Sequence, residues 1–185
     1  MKTVEYLTTI VNELQNSVPL ISEQDAEKLA DEILNAKQIF VVGAGRSGMM
    51  GKAFAMRMMH MGFDAYVIGE TVTPTYTEDD LLIVCTGSGE TNTLIPITQK
   101  AKKLGGKVAA VTLSPDSSIG KLADLIVQLP GAPKDQDQGE YKTIQPMGSL
   151  FEQIMLLFFD ATILRIMEKR GLDTNKMYGK HANLE

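Results

Sequence analysis

The amino-acid sequence predicts an α/β fold: a doubly wound sheet of five parallel strands with helices on both faces, in three layers. Five short apolar runs alternate with helical patterns or polar turns along most of the chain. Each run is hydrophobic at successive positions, which is typical of strands buried on both faces of a parallel sheet. A length of 185 residues fits one domain and is enough to bury a substantial core.

Two amphipathic helices are predicted before the first strand. Apolar residues recur at helical spacing over residues 4–17, which predicts a helix with one apolar face that needs a partner. We expect this N-terminal helix, within residues 1–20, to take part in subunit contacts. Ser22 and Asp25 fit a capping box at the start of the second helix.

The five predicted strands are short and rich in β-branched and other apolar residues. They span residues 38–42, 66–68, 81–85, 108–113 and 125–129. Glycine-rich turns follow the first and the third of them. Ligands of such sheets bind beyond the carboxyl ends of the strands, where the strand order reverses. Both turns therefore lie where a binding site is expected.

The helix after the first strand, predicted over residues 47–61, holds six of the chain's 11 methionines. Methionine clusters occur on adaptable binding surfaces and also fill irregular cores. We favour the core, because this helix is expected to be buried on several sides. His60 lies in its last turn, where we expect a partly exposed imidazolium near the negative end of the helix dipole.

Residues 130–148 form a long polar stretch, rich in Pro, Gly, Gln and Asp, without regular periodicity. Loops of this length tend to be functional or disordered. Ser149 then opens a strongly apolar helix that extends to about Arg170. Two of its faces are apolar, so we expect it to contribute both to the core and to subunit contacts. The polar segment 171–185 is also expected to take part in subunit contacts.

Composition argues against several classes of function. The net charge of −5 at pH 7 disfavours binding to nucleic acids or anionic membranes. The last predicted helix contains Glu152, Asp160 and Arg165, which are too many charges for a membrane span, and the N-terminal residues show no apolar signal core. Cys85 is the single cysteine, so no intrachain disulfide can form, and we expect it to be a small buried hydrophobe. We therefore expect a cytoplasmic protein without nucleic-acid or membrane partners.

The stretch from Ile83 to Thr91, I-V-C-T-G-S-G-E-T, joins the end of a buried strand to a turn with two glycines and three hydroxyl side chains. Glycine lets a ligand approach the backbone, and N–H groups near a helix start point at an anion. Thr86, Ser88 and Thr91 can each donate a hydrogen bond as well. The pattern indicates a site for a phosphate ester, with simple capping of the next helix as the alternative.

Residues 43–48 read G-A-G-R-S-G and match the G-x-G-x-x-G fingerprint of dinucleotide-binding folds. Glu70, near the end of the second strand, is the candidate ribose ligand in that interpretation. Three observations favour a smaller ligand. The chain is too short for a separate substrate domain, the following helix is crowded with methionine, and dinucleotide binding does not need the second hydroxyl-rich turn. A sugar phosphate held by both turns explains both motifs.

The pair of motifs, G-A-G-R-S at residues 43–47 and T-G-S-G-E-T at residues 86–91, resembles the sugar isomerase (SIS) domain family. The second loop of that family usually reads S-x-S-G-x-T, and Thr86 departs from the usual serine but keeps the hydroxyl. The resemblance covers about residues 30–170. The loops and the closing segment M-Y-G-K-H-A-N-L-E, residues 177–185, are most similar to the 6-phospho-3-hexuloisomerases within the family.

This resemblance implies an SIS-type sheet of the flavodoxin or Rossmann-like kind, no metal or organic cofactor, and a homotetramer built as a dimer of dimers. It implies an isomerase that interconverts D-arabino-hex-3-ulose 6-phosphate and fructose 6-phosphate through an enediol, in the ribulose monophosphate pathway of formaldehyde fixation. The alternatives are another phosphosugar isomerase of the same family, a non-catalytic sugar-phosphate sensor, and an NAD-binding Rossmann protein.

The resemblance also implies roles for individual residues. The substrate and its phosphate would be bound by Arg46, Ser47, Thr86, Gly87, Ser88, Gly89, Glu90 and Thr91. Glu152 would be the catalytic base, although Ser149 and Glu152 also fit a capping box. His181 would come from a neighbouring subunit to move protons between the sugar oxygens or polarise the carbonyl. For His181 the alternative is a disordered tail.

Overall fold

The computed structural model contains a sheet of five parallel strands, as the sequence predicted. The strands are β1 (Ile39–Gly43), β2 (Ala65–Val67), β3 (Leu81–Cys85), β4 (Lys107–Thr112) and β5 (Leu125–Gln128). They lie in the order β2-β1-β3-β4-β5, and each neighbouring pair is parallel. The structure describes residues 2–132 and 142–173, together with Met177, Gly179 and His181.

The strand order reverses between β1 and β3. The chain leaves β1 toward β2 at one edge and then crosses to β3 on the other side of β1. The loops that follow β1 and β3 therefore diverge at their carboxyl ends, and a crevice opens between them. This topology places the two motifs of the sequence at one position in the fold.

Helices cover both faces of the sheet. They are α1 (Thr3–Ser17), α2 (Glu23–Asn35), α3 (Gly45–His60), α4 (Leu94–Lys103), α5 (Ser118–Leu122) and α6 (Ser149–Arg170), with a short 3-10 turn at Val18–Leu20. Side chains from α2, α3 and α6 form one core with alternate residues of the strands. Side chains from α4 and α5 form the second core with the other alternate residues. Hydrophobicity at successive strand positions is explained by these two cores.

The apolar face of α1 is only partly covered within the single chain. Leu14 packs against the core beside α6, whereas Val4, Leu7 and Val11 are each more than half exposed. On α6 the apolar residues Leu157 and Leu164 are likewise exposed, opposite the face that enters the core. The two apolar faces predicted for the last helix are therefore present, and their use in subunit contacts stays a prediction.

Two expectations for α3 need correction. Met58 is buried as expected of a core residue, but Met49 and Met56 are more than half exposed, so the methionine cluster fills the core only in part. His60 is 5% exposed, and its expected state as a partly exposed cation is wrong. Burial lowers the pKa of His60, and the electrostatic interactions with Arg57 and His181 act in the same direction.

Much of the long loop and of the C-terminal segment falls outside the described residues. The structure describes residues 130–132 and 142–148 of the predicted loop, and only some residues beyond 173. None of the helices formed by the described residues is both long enough and apolar enough to cross a membrane.

A group of ion pairs joins α2 to α6 on the surface. Arg165 contacts both carboxylate oxygens of Glu27, with Nε to Oε1 at 2.5 Å and Nη2 to Oε2 at 3.1 Å. Lys169 lies 2.9 Å from Glu27 and 2.5 Å from Asp31. The hydrogen bonds from Arg165 and then Lys169 lower the pKa of Glu27 to about 2.

Stability should therefore depend on Glu27 in acid. The pKa of Glu27 in the folded chain lies below its ordinary value of 4.5. Its ionised carboxylate therefore makes its full contribution to stability when the pH is above about 4.5. This contribution is lost as the pH falls from about 4.5 toward about 2. We expect the urea concentration at the unfolding midpoint to fall less steeply across this pH range in Glu27→Gln than in the wild type. Both are measured at low ionic strength and at the same protein concentration.

Glu23→Gln makes the same change of charge on the same helix and serves as the control. It should retain the wild-type dependence on pH. Equal acid dependence of the two variants would show that the ion pairs of Glu27 contribute nothing measurable.

Candidate active site

A cleft of about 410 Å³ lies beyond the carboxyl ends of β1 and β3. It is bordered by the turn after β1, the loop after β3, the end of β4, and the first turn of α6. The residues that line it are Ala44, Gly45, Ser47, Cys85, Thr86, Gly87, Ser88, Thr91, Leu113, Ser114, Ala132, Gly148, Phe151 and Glu152. Both sequence motifs thus border a single site.

The turn after β1 depends on close backbone contact. A Cβ atom on Gly48 would lie 2.5 Å from the carbonyl oxygen of Gly43, so a side chain at this position would force α3 away from the strand. Gly45 has a positive φ of 57° and opens the helix. These constraints bring Ser47, in the first turn of α3, to the wall of the cleft.

The loop after β3 is organised by its own hydroxyl groups. Thr86 is 2% exposed, and its Oγ1 accepts a hydrogen bond from the backbone N–H of Gly89 at 3.1 Å. The Oγ1 atoms of Thr86 and Thr91 are 3.4 Å apart, and the N–H of Glu90 donates to Ser88 Oγ at 3.2 Å. The loop therefore has a defined shape before α4 begins.

Gly89 is required by the geometry of this loop. Its φ is 66°, and a Cβ atom there would lie 1.8 Å from Ser117 Oγ. The loop leads into α4, which begins at Leu94, and the carbonyl oxygen of Thr91 accepts the N–H groups of Leu94 at 2.9 Å and Ile95 at 3.2 Å. The capping interpretation therefore holds for the backbone of Thr91. Thr86 Oγ1 and Ser88 Oγ instead accept N–H groups within the loop, and Thr93, just before the helix, makes no side-chain cap.

Glu152 carries the buried carboxylate of the cleft. It is 6% exposed, and its Oε2 lies 3.1 Å from Nε of Arg46. The same guanidinium donates from Nη1 to Ser149 Oγ at 2.8 Å. Arg46 itself is about half exposed and closes the rim between α3 and α6. One arginine thus holds two residues of the first turn of α6.

The capping-box interpretation of Ser149 and Glu152 is wrong. Ser149 is the first residue of α6, Gly148 is the preceding cap residue, and the helix start has no side-chain cap. The N–H of Glu152 donates to the carbonyl oxygen of Gly148 at 3.0 Å. The carboxylate of Glu152 is left to face the cleft and Arg46.

The structure brings six of the predicted site residues to the wall of this cleft. They are Ser47, Thr86, Gly87, Ser88, Thr91 and Glu152. Arg46 and Gly89 join the site through the contacts described above. Glu90 turns its carboxylate to α5, where Oε1 accepts the N–H of Ser118 at 2.7 Å. This hydrogen bond keeps the pKa of Glu90 below its ordinary value.

His181 lies at the other end of α3 within the single chain. Its ring stacks on that of His60, with centroids 5.3 Å apart. The helix begins at the cleft with Gly45 and its 16 residues extend for about 24 Å. A contact of His181 with Glu152 in the same chain is therefore absent, and its delivery by a neighbouring subunit stays a prediction.

Ser114, Phe151 and Leu113 are among the residues of the cleft that the sequence reasoning did not assign to the site. Ser114 follows the end of β4, so the rule that places ligands at the carboxyl ends of strands could have found it. Phe151 places its ring beside Gly87, and Leu113 lies on the same side of the loop. No sequence signal separates these two apolar residues from those of the core.

The structure also bears on the other ligands considered. Glu70, the candidate ribose ligand of a dinucleotide, pairs with Lys52 at 2.7 Å. Among the described residues no three His, Cys, Asp or Glu side chains are grouped so as to hold a metal ion. The expectation that the protein needs no metal or organic cofactor stays a prediction.

The SIS domain family model matches residues 32–157. The chain belongs to the SIS domain family. A 3-hexulose-6-phosphate isomerase of Bacillus subtilis is 61% identical over 185 residues, covering 100% of both chains. That of Mycobacterium gastri is 36% identical over 179 residues, covering 97% of this chain and 89% of the relative.

Solved structures of the family agree with this SIS domain in fold. The crystal structure of a hypothetical protein from Methanococcus jannaschii, inferred from that structure to have the molecular function of 3-hexulose-6-phosphate isomerase, matches with a TM-score of 0.84. It is 34% identical, and the match covers 98% of this chain and 99% of that one. The parallel sheet with helices on both faces is therefore shared over nearly the whole length.

The hydroxyl of Thr86 should stabilise this SIS domain even without ligand. Thr86→Val keeps the branched shape but removes the acceptor for the N–H of Gly89. An unsatisfied buried group costs about 1–3 kcal/mol, so the free energy of unfolding should fall by about that amount. Thr86→Ser keeps the hydroxyl and should retain most of the stability. Urea unfolding followed by circular dichroism compares them, and equal losses would contradict a role for the hydroxyl.

Proposed function

We propose that this SIS domain is a 3-hexulose-6-phosphate isomerase, which interconverts D-arabino-hex-3-ulose 6-phosphate and fructose 6-phosphate. The observation that carries the proposal is the position of the buried carboxylate of Glu152 across one cleft from the hydroxyl-rich loop. A phosphate binder alone would not need this buried acid. The names of the relatives, one of them 61% identical over the full length, support the same activity.

The phosphate is bound in this proposal by hydroxyl groups and backbone N–H groups of the two loops. Ser47, Thr86, Ser88 and Thr91 supply the hydroxyls. Because Oγ1 of Thr86 accepts the N–H of Gly89, its own proton is free to be donated to the ligand or to Thr91. The net charge of −5 makes such local donors necessary, since the field of the whole protein disfavours an anion.

The remaining loop residues complete the proposed set. Gly87 and Gly89 let the phosphate approach the backbone, and Arg46 adds positive charge at the rim of the cleft. Glu90 contributes through the position of its backbone, because its carboxylate is bonded to Ser118.

The reaction moves a carbonyl from C3 to C2 and needs one base. Glu152 removes the proton from C2, which gives an enediol, and returns a proton to C3, while a proton also moves from the O2 hydroxyl to O3. The hexulose has no free hydroxyl that could close a five- or six-membered ring on C3 when O6 carries phosphate. A ring-opening residue is therefore not needed.

The finer parts of the proposal concern assembly and context. The exposed apolar residues of α1 and α6 support a homotetramer, a dimer of dimers, in which His181 reaches the cleft of a neighbouring subunit. His181 would move the proton between O2 and O3 or polarise the carbonyl. The proposed enzyme acts in the cytoplasm, in the ribulose monophosphate pathway of formaldehyde fixation and detoxification.

The direct test is turnover of the hexulose phosphate to fructose 6-phosphate by the purified protein. Ligand binding gives a second measurement: fructose 6-phosphate at about 100 times its dissociation constant should raise the free energy of unfolding by roughly 2.7 kcal/mol. NAD should give no such stabilisation. Binding without turnover would indicate a sensor and overturn the proposed activity.

Glu152→Gln should abolish most of the turnover and leave binding nearly intact. The amide cannot take a proton from C2, and loss of a general base typically lowers the rate by about 10²- to 10⁴-fold. Stabilisation by fructose 6-phosphate should remain close to that of the wild type, because the phosphate loops are unchanged. Asp160→Asn makes the same carboxylate-to-amide change on an exposed part of α6 and should retain full activity. A wild-type rate for Glu152→Gln would place the base elsewhere.

Subunit mixing tests the proposed origin of His181. Glu152→Gln and His181→Ala should each be nearly inactive alone. If each site combines Glu152 of one chain with His181 of another, random mixing in equal amounts should restore about a quarter of the wild-type sites. Both variants are unfolded together, refolded and assayed against each variant refolded alone. No recovery would contradict a site that combines Glu152 of one chain with His181 of another.

A further inference from the structure

Glu13 on α1 makes three hydrogen bonds with the segment that leads into α6. Its Oε2 accepts from Thr143 Oγ1 at 2.6 Å and from Gln145 Nε2 at 2.9 Å. Its Oε1 accepts from the backbone N–H of Ile144 at 2.9 Å. One carboxylate thus binds three consecutive residues about 130 positions further along the chain. We call this group of contacts the Glu13 clamp.

The segment after the clamp runs directly into the first turn of α6. Gln145 is 3% exposed, and its N–H also donates to Thr143 Oγ1 at 3.0 Å. The carbonyl oxygen of Pro146 accepts the N–H of Ser149 at 3.2 Å. The next hydrogen bond of this series joins Gly148 to Glu152. Only the short turn at residues 146–148 therefore separates the clamped residues from α6, and the carbonyl groups of Pro146 and Gly148 in this turn are bonded to Ser149 and to the proposed base.

That turn holds an uncommon backbone conformation. Met147 has a φ of 56°, and among the described residues it is the one residue other than glycine with a positive φ. Such a conformation is costly for a residue with a side chain and persists only where the surroundings impose it. The Glu13 clamp fixes the chain before Met147, and Arg46 fixes Ser149 and Glu152 after it.

We infer that Glu13 is a positioning residue for catalysis: through the clamp it fixes the turn at Met147 and so the position of Glu152 in the cleft. This inference rests on the proposed role of Glu152 as the base. Arg46 holds the carboxylate from the side of α3, and the clamp holds the start of α6 from the side of α1. The base is thus located between two anchors on different elements.

The charge state of Glu13 suits this role. Burial by itself would raise its pKa, but the hydrogen bonds from Thr143, Gln145 and Ile144 outweigh burial and lower the pKa below its ordinary value. Glu13 is therefore ionised at neutral pH, where hydrogen bonds to a charged acceptor are stronger than those between neutral groups.

The test compares Glu13→Ala with Gln15→Ala, an exposed position on the same helix. With the hexulose 6-phosphate as substrate, Glu13→Ala should lower kcat by about 10- to 100-fold, because small displacements of a reacting group cost rates of this order. KM and the thermal stabilisation by fructose 6-phosphate should stay near wild type, since the phosphate loops are not part of the clamp. Gln15→Ala should behave as wild type.

Thr143 provides a second pair of variants in case Glu13→Ala does not fold. Thr143→Val removes one donor of the clamp and should lower kcat. Thr143→Ser keeps the hydroxyl and should have a kcat near that of the wild type. Combining Glu13→Gln with Thr143→Val should lower kcat by less than the product of the two separate effects, because both act on one contact.

The outcomes distinguish failure of the positioning role of Glu13 from failure of the proposed isomerase activity. A kcat of Glu13→Ala within twofold of the wild type, measured well below its unfolding temperature, would leave Glu13 a purely structural residue and overturn the inference. Equal rates for Thr143→Val and Thr143→Ser would do the same. Absence of turnover in the wild type would instead overturn the proposed function, and the positioning role with it.

Discussion

The contact between the first turns of α3 and α6 is the interaction on which the site depends. Glu152 is almost fully buried, and a buried carboxylate is costly unless a charged partner and hydrogen bonds compensate for its lost hydration. Arg46 provides that partner and binds Ser149 with the same guanidinium. It can do so because Gly43 and Gly48 allow α3 to begin in contact with β1. The glycines of the fingerprint thus set the position of α3, and Arg46 on α3 holds Glu152 on α6.

Local hydrogen-bond donors, and not the net charge of the protein, make the cleft suitable for an anion. The protein is acidic, so long-range attraction does not bring an anion to the cleft. Hydroxyl and backbone groups of the loop after β3 are arranged by bonds among themselves, chiefly from Gly89 to Thr86. Donors that are already oriented lose little further freedom when a ligand binds, which favours specific binding of a phosphate without a large positive field.

The parts of the site that the sequence could indicate are those with local signals. The turn at Gly43 and the loop at Thr86 were recognisable because unusual backbone geometry requires glycine and because short hydroxyl side chains cluster at a strand end. Ser114 lacked such a motif, although its place after β4 follows from the same rule. The capping-box interpretation of Glu152 could not be rejected locally, because it was the guanidinium of Arg46, more than 100 positions away, that occupied Ser149.

The sequence by itself determined the five strands, the helices between them and the two motifs at strand ends, because hydrophobic periodicity and turn chemistry act over a few neighbouring residues. Only the tertiary structure decided what those elements bury against one another. It buried His60, which helix position alone suggested would be charged, and left Met49 exposed on a helix expected to be covered. It also bound Glu13 to Thr143, across a separation at which no sequence pattern operates. Which side chains are buried and which are paired depends on which surfaces pack together, and that is decided by the whole fold.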